Sequence, residues 1–127
     1  MKRSYWMAAK AVIELIFGIG FVLMPVTVGD VFGMNLTPSG ALMARLFGTA
    51  FIFGSIVLWL ARNASSSEAA LRAVVLAVVV SNTIGFVVTL LATLSGVWNA
   101  LGWLPVVLYL LFGLGFAYFQ FVKPTTS

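Results

Sequence analysis

Residues 38–61 read PSGALMARLFGTAFIFGSIVLWLA, an apolar stretch that contains one charged residue, Arg45. At a rise of about 1.5 Å per residue, a helix of this length covers the hydrocarbon layer of a bilayer, which is about 30 Å thick. Pro38 suits the first position of a helix, and Thr37 before it suits the N-cap. The stretch therefore predicts a membrane-spanning helix that begins at Pro38.

Three further stretches have the same character, which gives four predicted spans at 5–24, 38–61, 69–93 and 103–122. Pro25 marks the end of the first, and Pro105 falls in the first turn of the fourth. The chain of 127 residues is only 8% charged, whereas a soluble domain has about 25% charged residues. We therefore expect an all-α fold, a four-helix up-and-down membrane bundle forming one domain over residues 1–127.

The first predicted span resembles a signal peptide in its basic head and apolar middle. Lys10 and Glu14 interrupt that middle, and no A-x-A-like site follows near residues 26–29. We expect this segment to be retained as the first helix.

Six of the seven Lys and Arg residues fall at one end of the predicted bundle. They are Lys2, Arg3, Lys10, Arg62, Arg72 and Lys123. The opposite connections, about 25–37 and 94–102, contain Asp30 and no cation. The positive-inside rule then predicts that both termini lie in the cytoplasm. The net charge of +4 is thus an orientation signal, and nucleic-acid binding is not expected.

Glu14 and Arg45 lie at membrane depth, where an unpaired charge costs at least about 2.5–3.5 kcal/mol. Helical rise places them roughly 6 Å apart along the bundle axis, so we predict an ion pair between the first two helices. Lys10, one turn before Glu14, is a competing partner. The pair either fixes the packing of two helices or lines an outward-facing polar pocket. The further residues expected to line such a pocket are Thr49, Asn82, Thr89 and Tyr109.

Helical spacing supports an inward Arg45. The same face of its helix carries small residues such as Gly48 and Ser55. The reverse face, with Phe47 and Gly54, is expected to contact lipid.

Cysteine and histidine are absent from the sequence. This chain alone therefore cannot form a disulfide, a thiol nucleophile, an imidazole metal site or a His-ligated haem. No nucleophile–base set or phosphate loop is recognisable either. We expect neither enzymatic activity nor a cofactor.

Three features of the chain carry a family resemblance: the arrangement of the four spans over the whole chain, the stretch ALMARLFGTAFIFGSIVLWLAR at 41–62 and the closing stretch GWLPVVLYLLFGLGFAYF at 102–119. In these features the chain resembles small bacterial four-helix membrane proteins of the DoxX-like type. The resemblance implies an inner-membrane protein, in some relatives linked to respiratory or redox partners. It carries over no catalytic residues.

Three functional hypotheses follow, in order of preference. The first is a structural or accessory component of a larger membrane complex or homo-oligomer embedded in the lipid bilayer. The second is a binder of a lipid, quinone or other hydrophobic small molecule. The third is a small proton-coupled transporter that uses Glu14, although an ion pair with Arg45 would hold that carboxylate ionised.

Overall fold

The computed structural model describes residues 2–65 and 68–122, except for the side chain of residue 122. Lys123, one of the six cations predicted to lie on the cytoplasmic side, falls outside the described residues. The described residues form five α-helices. They are α1 (Arg3–Leu23), α2 (Pro25–Val31), α3 (Pro38–Ala61), α4 (Ala69–Leu94) and α5 (Trp103–Ala117). A 3₁₀ turn at Ala100–Gly102 precedes α5, and a π-helical turn at Tyr118–Val122 continues it.

Four helical segments are long and apolar enough to cross a membrane: α1, α3, α4 and the combined segment Ala100–Phe121. The predicted all-α class with four spans is therefore confirmed. The predicted starts of the second, third and fourth spans coincide with the starts of α3, α4 and α5. Thr37 acts as the expected N-cap, because its Oγ1 accepts the Gly40 backbone N–H at 3.0 Å.

The short helix α2 was not predicted. Pro25 ends α1, as expected, but it also takes the first position of α2, where its missing N–H costs nothing. Gly33 follows α2 with a φ of +77°, a left-handed conformation that glycine adopts without strain. The connection between the first two spans is therefore a helical turn followed by a tight bend.

The spans form two close pairs of sequence neighbours: α1 packs along α3, and α4 packs along α5. Gly18 and Gly48 allow the first pair to approach closely. A Cβ atom added at Gly48 would lie 2.7 Å from the Gly18 carbonyl oxygen. Contacts across the seam between the two pairs are sparser and come mainly from α1 and α5.

One end of the seam, which we call the inner end, holds the N-terminus and the connection that follows α3. Here the Trp6 ring meets the Phe112 ring edge-on, with centroids 6.0 Å apart, and packs against Gly115. The buried Arg3 side chain donates from Nη2 to the Ala64 carbonyl oxygen at 2.6 Å. These contacts join α1 to α5 and to the chain after α3.

The opposite, outer end of the seam is closed by the two outer connections. Asn99 donates its backbone N–H to the Phe32 carbonyl oxygen at 2.8 Å and its side-chain amide to the Val31 carbonyl oxygen at 3.0 Å. The Phe32 and Trp98 rings lie 5.2 Å apart between centroids. The two helix pairs are thus tied together at both ends, and a cavity lies between these ties.

Candidate functional site

A charged pair lies inside the bundle on α1. The Lys10 Nζ is 2.9 Å from the Glu14 Oε1, one helical turn along the same helix, and the two side chains are only 9% and 14% exposed. Helical rise places Glu14 roughly 16 Å along α1, near the middle of the span. The two opposite charges neutralise each other at a depth where either alone would be costly.

Lys10 also connects α1 to the other helix pair. Its Nζ donates to the Asn82 Oδ1 on α4 at 3.4 Å and lies 5.3 Å from the centroid of the Phe112 ring on α5. Asn82 is 1% exposed, and its Nδ2 donates to the Val78 carbonyl oxygen at 2.7 Å. The ammonium group therefore has partners from three spans.

Next to this pair lies a cavity of about 120 Å³ in the outer half of the bundle. Every span and both outer connections contribute to its wall, and most of the lining is aromatic. The aromatic side chains are Phe17, Phe21, Phe32, Phe47, Phe51, Trp98, Tyr109 and Phe112. Lys10 and Glu14 also line it.

Two uncharged polar side chains complete the lining. Thr89 donates its hydroxyl to the Gly85 carbonyl oxygen at 2.7 Å, so its oxygen keeps only acceptor capacity. The Tyr109 ring packs against Gly85, where a Cβ atom would collide with it. Within the described residues, the Tyr109 hydroxyl forms no hydrogen bond. It is thus available to a bound molecule as donor or acceptor.

The expected Glu14–Arg45 pair is not formed; the structure joins Glu14 to Lys10 instead. Arg45 is exposed and donates from Nε to the Val22 carbonyl oxygen at 3.2 Å, near the C-terminal end of α1. At about 100° per residue, Arg45 points roughly 120° away from Phe51, which faces the cavity. Arg45 therefore stabilises the carbonyl end of α1, where cations are favoured, and takes no part in the cavity.

Of the other residues predicted from the sequence to form the site, some line the cavity and others lie away from it. Glu14, Thr89 and Tyr109 line the cavity. Asn82 lies behind Lys10 and reaches the site through that side chain. Thr49 is exposed beside Arg45, whose carbonyl oxygen accepts its hydroxyl at 3.1 Å.

The face of α3 expected to contact lipid in fact contributes to the site. Phe47 lines the cavity, and Gly54 abuts Glu14, since a Cβ atom there would lie 2.8 Å from the carboxylate Oε2. That Oε2 atom is buried and has no hydrogen-bond partner among the described residues. Gly54 thus makes room for the carboxylate, a role that its helical position alone did not indicate.

Sequence reasoning missed the aromatic wall. Phenylalanine is common on lipid-facing surfaces, so Phe17, Phe21 and Phe51 carried no signal individually. Phe17 and Phe21 lie four residues apart on α1, on the same face as Glu14, and this spacing is the pattern that would have indicated a shared cavity.

Comparison of the chain with protein-family models, curated proteins and solved structures gave no match in any of the three.

Proposed function

We propose that this small multi-pass membrane protein binds an apolar small molecule in the aromatic cavity between its two helix pairs. The observation that carries the proposal is the cavity itself, which combines an aromatic wall with a few convergent polar groups. Concave apolar sites of this kind are typical of small-molecule binding.

The size of the cavity indicates the size of the bound group. Its volume of about 120 Å³ approaches that of an engineered cavity of about 150 Å³ that binds benzene in another protein. Lipid tails are as apolar as the cavity wall, so burial alone does not favour binding from the bilayer. Ring contacts and dispersion therefore supply the preference for an aromatic or planar group.

The chemistry of the lining supports binding rather than catalysis. Lys10 and Glu14 neutralise each other, and the Thr89 hydroxyl is bound to a backbone carbonyl. Among the described residues, no hydroxyl of the lining has an acid or base within hydrogen-bond distance. We accordingly propose no enzymatic activity.

We further propose that the termini face the cytoplasm across a bacterial inner membrane. Lys2, Arg3 and Arg62 lie at the inner end of the bundle, whereas the outer connections contain Asp30 and no Lys or Arg. Lys10 leaves this count, because it belongs to the intramembrane pair. The remaining bias still favours this orientation. Membership of the DoxX-like group remains a hypothesis that rests on the sequence resemblance.

The accessory role and the transporter remain alternatives. Exposed apolar residues such as Phe53 and Leu60 suit a larger complex, but they suit lipid contact equally well. The transporter requires a Glu14 carboxylate that is free to exchange protons, whereas in this structure the carboxylate is held in an ion pair with Lys10. The cavity therefore gives small-molecule binding the stronger support.

A cavity-filling variant tests the proposal. Thr89 is buried on the cavity wall, whereas its neighbour Val88 is 58% exposed on the outside of the same helix. Wild type, Thr89→Phe and Val88→Phe are purified in mild detergent, and their organic extracts are quantified by mass spectrometry. We expect a stoichiometric small molecule in wild type and Val88→Phe that is lost in Thr89→Phe. Equal amounts in all three folded proteins would contradict cavity binding, and a partner protein retained by all three would favour the accessory role.

A further inference from the structure

We propose that Lys10 sets the charge selectivity of the cavity: its ammonium group occupies the place of an organic cation, so the cavity accepts uncharged molecules of about one aromatic ring. This inference rests on the proposed binding function. It names the chemical class of the ligand and the residue that selects it.

Aromatic rings beside a carboxylate form the arrangement by which proteins bind ammonium groups. A cation is attracted to a ring face within about 6 Å of the centroid and to the carboxylate by direct ion pairing. In this protein Lys10 takes both attractions, since its Nζ lies 5.3 Å from the Phe112 centroid and 2.9 Å from the Glu14 Oε1. The other carboxylate oxygen, Oε2, has no partner among the described residues but is buried against Gly54 of α3. The inner end of the cavity is thus a cation site filled by the chain itself.

Lys10 is held firmly in that place. The residue is 7% exposed, and its hydrogen bond to Asn82 reaches across the seam to the other helix pair. A bound cation would have to displace the ammonium from Glu14 and Asn82 together. Displacement would leave Lys10 unpaired in an apolar environment, which is strongly unfavourable.

The charges of the lining exclude ions of either sign. Lys10 and Glu14 are its charged residues, and they sum to zero. A second cation would meet the Lys10 ammonium, and an anion would meet the Glu14 carboxylate. Arg45 does not alter this balance. It lies on a face of α3 that points away from the cavity and donates to the Val22 carbonyl oxygen of α1. The Tyr109 hydroxyl remains as an uncharged hydrogen-bonding group for one polar atom of a ligand.

Two probes of the same shape test the inference: tert-butylbenzene, which is neutral, and phenyltrimethylammonium, which is a cation. Binding to the full chain in dodecyl maltoside micelles is measured by isothermal titration at pH 8.5, with Thr89→Phe as the blank for micelle partitioning. For wild type we expect the neutral probe to bind at least about tenfold more tightly, because a like charge in a partly desolvated site is strongly repelled. Equal or tighter binding of the cation would overturn the inference.

Substitution of Lys10 provides a second test of the inference. Lys10→Met removes the ammonium and leaves a carboxylate among aromatic rings, so we expect the affinity for phenyltrimethylammonium to rise at least about tenfold. Lys10→Gln keeps an amide that can donate to Asn82, so it replaces Lys10→Met in the assay if the Met variant folds poorly. We expect the same rise in affinity for phenyltrimethylammonium. A folded variant of either kind without that gain would overturn the inference.

The outcomes separate this inference from the proposed function. Wild type that binds neither probe contradicts the binding function itself. Wild type that binds both probes with equal affinity contradicts only the role of Lys10. The wild-type comparison decides the question even where neither Lys10 variant folds.

Discussion

The pairing of Glu14 with Lys10 rather than Arg45 predicts where the energetic coupling within the membrane lies. Replacement of Lys10 by Met or of Glu14 by Leu leaves the other charge buried and unpaired. Such a change costs about 3–5 kcal/mol when a buried pair is broken. The exposed fractions of 9% and 14% leave little water to reduce that cost, unlike an exposed pair at the same spacing, which contributes about 0.3–0.5 kcal/mol.

The double variant Lys10→Met/Glu14→Leu removes both charges together and is expected to lie within about 1–2 kcal/mol of wild type. The sum of the two single losses exceeds the change in the double variant by the coupling free energy between these residues, which is then at least about 4 kcal/mol. A second cycle pairs Glu14→Leu with Arg45→Met, and we expect its effects to add within about 0.5 kcal/mol. Unfolding in mixed micelles with increasing dodecyl sulfate, followed by circular dichroism, measures the wild type and the five variants. Coupling between Glu14 and Arg45 that exceeds the coupling between Glu14 and Lys10 would refute the assignment.

Two further predictions concern packing and orientation. Gly48→Ala places a methyl group 2.7 Å from the Gly18 carbonyl oxygen, so α1 and α3 must separate, and we expect a loss of about 1–3 kcal/mol in the same unfolding assay. Gly113→Ala meets its nearest neighbouring atom at 3.6 Å and should be neutral; equal losses in both would contradict the close packing at Gly48. Alkaline phosphatase fused after Asp30 should be active and after Asn63 inactive, whereas the reverse pattern would contradict cytoplasmic termini.

The fold was predictable because its signals are local. Span length follows from hydropathy and helical rise, and the start of α3 follows from the chemistry of Thr37 and Pro38. The two helix pairs join sequence neighbours through short connections, which is the simplest arrangement for consecutive spans. The helix α2 was missed because Pro25 was interpreted only as a terminator, although proline also suits a first helical position.

The site was only partly predictable. Helical rise gives the depth of each side chain, and it placed Glu14 and Arg45 at compatible heights. It does not give the rotation of one helix about its axis relative to the next, and that rotation turns Arg45 away from the cavity. Thr89 and Tyr109 were named because polar residues stand out in an apolar span. The aromatic wall did not stand out, because rings facing a cavity and rings facing lipid have the same composition.

The location of both charges on one helix has a consequence for biogenesis. Lys10 and Glu14 are one turn apart, so their ion pair forms as soon as α1 is helical and requires no other span. A carboxylate whose counter-ion lay only on α3 would have stayed uncompensated until α3 was synthesised. With its own counter-ion, the nascent first helix leaves the translocon as a nearly neutral segment, and the cost of integrating it is lowered before the rest of the bundle exists.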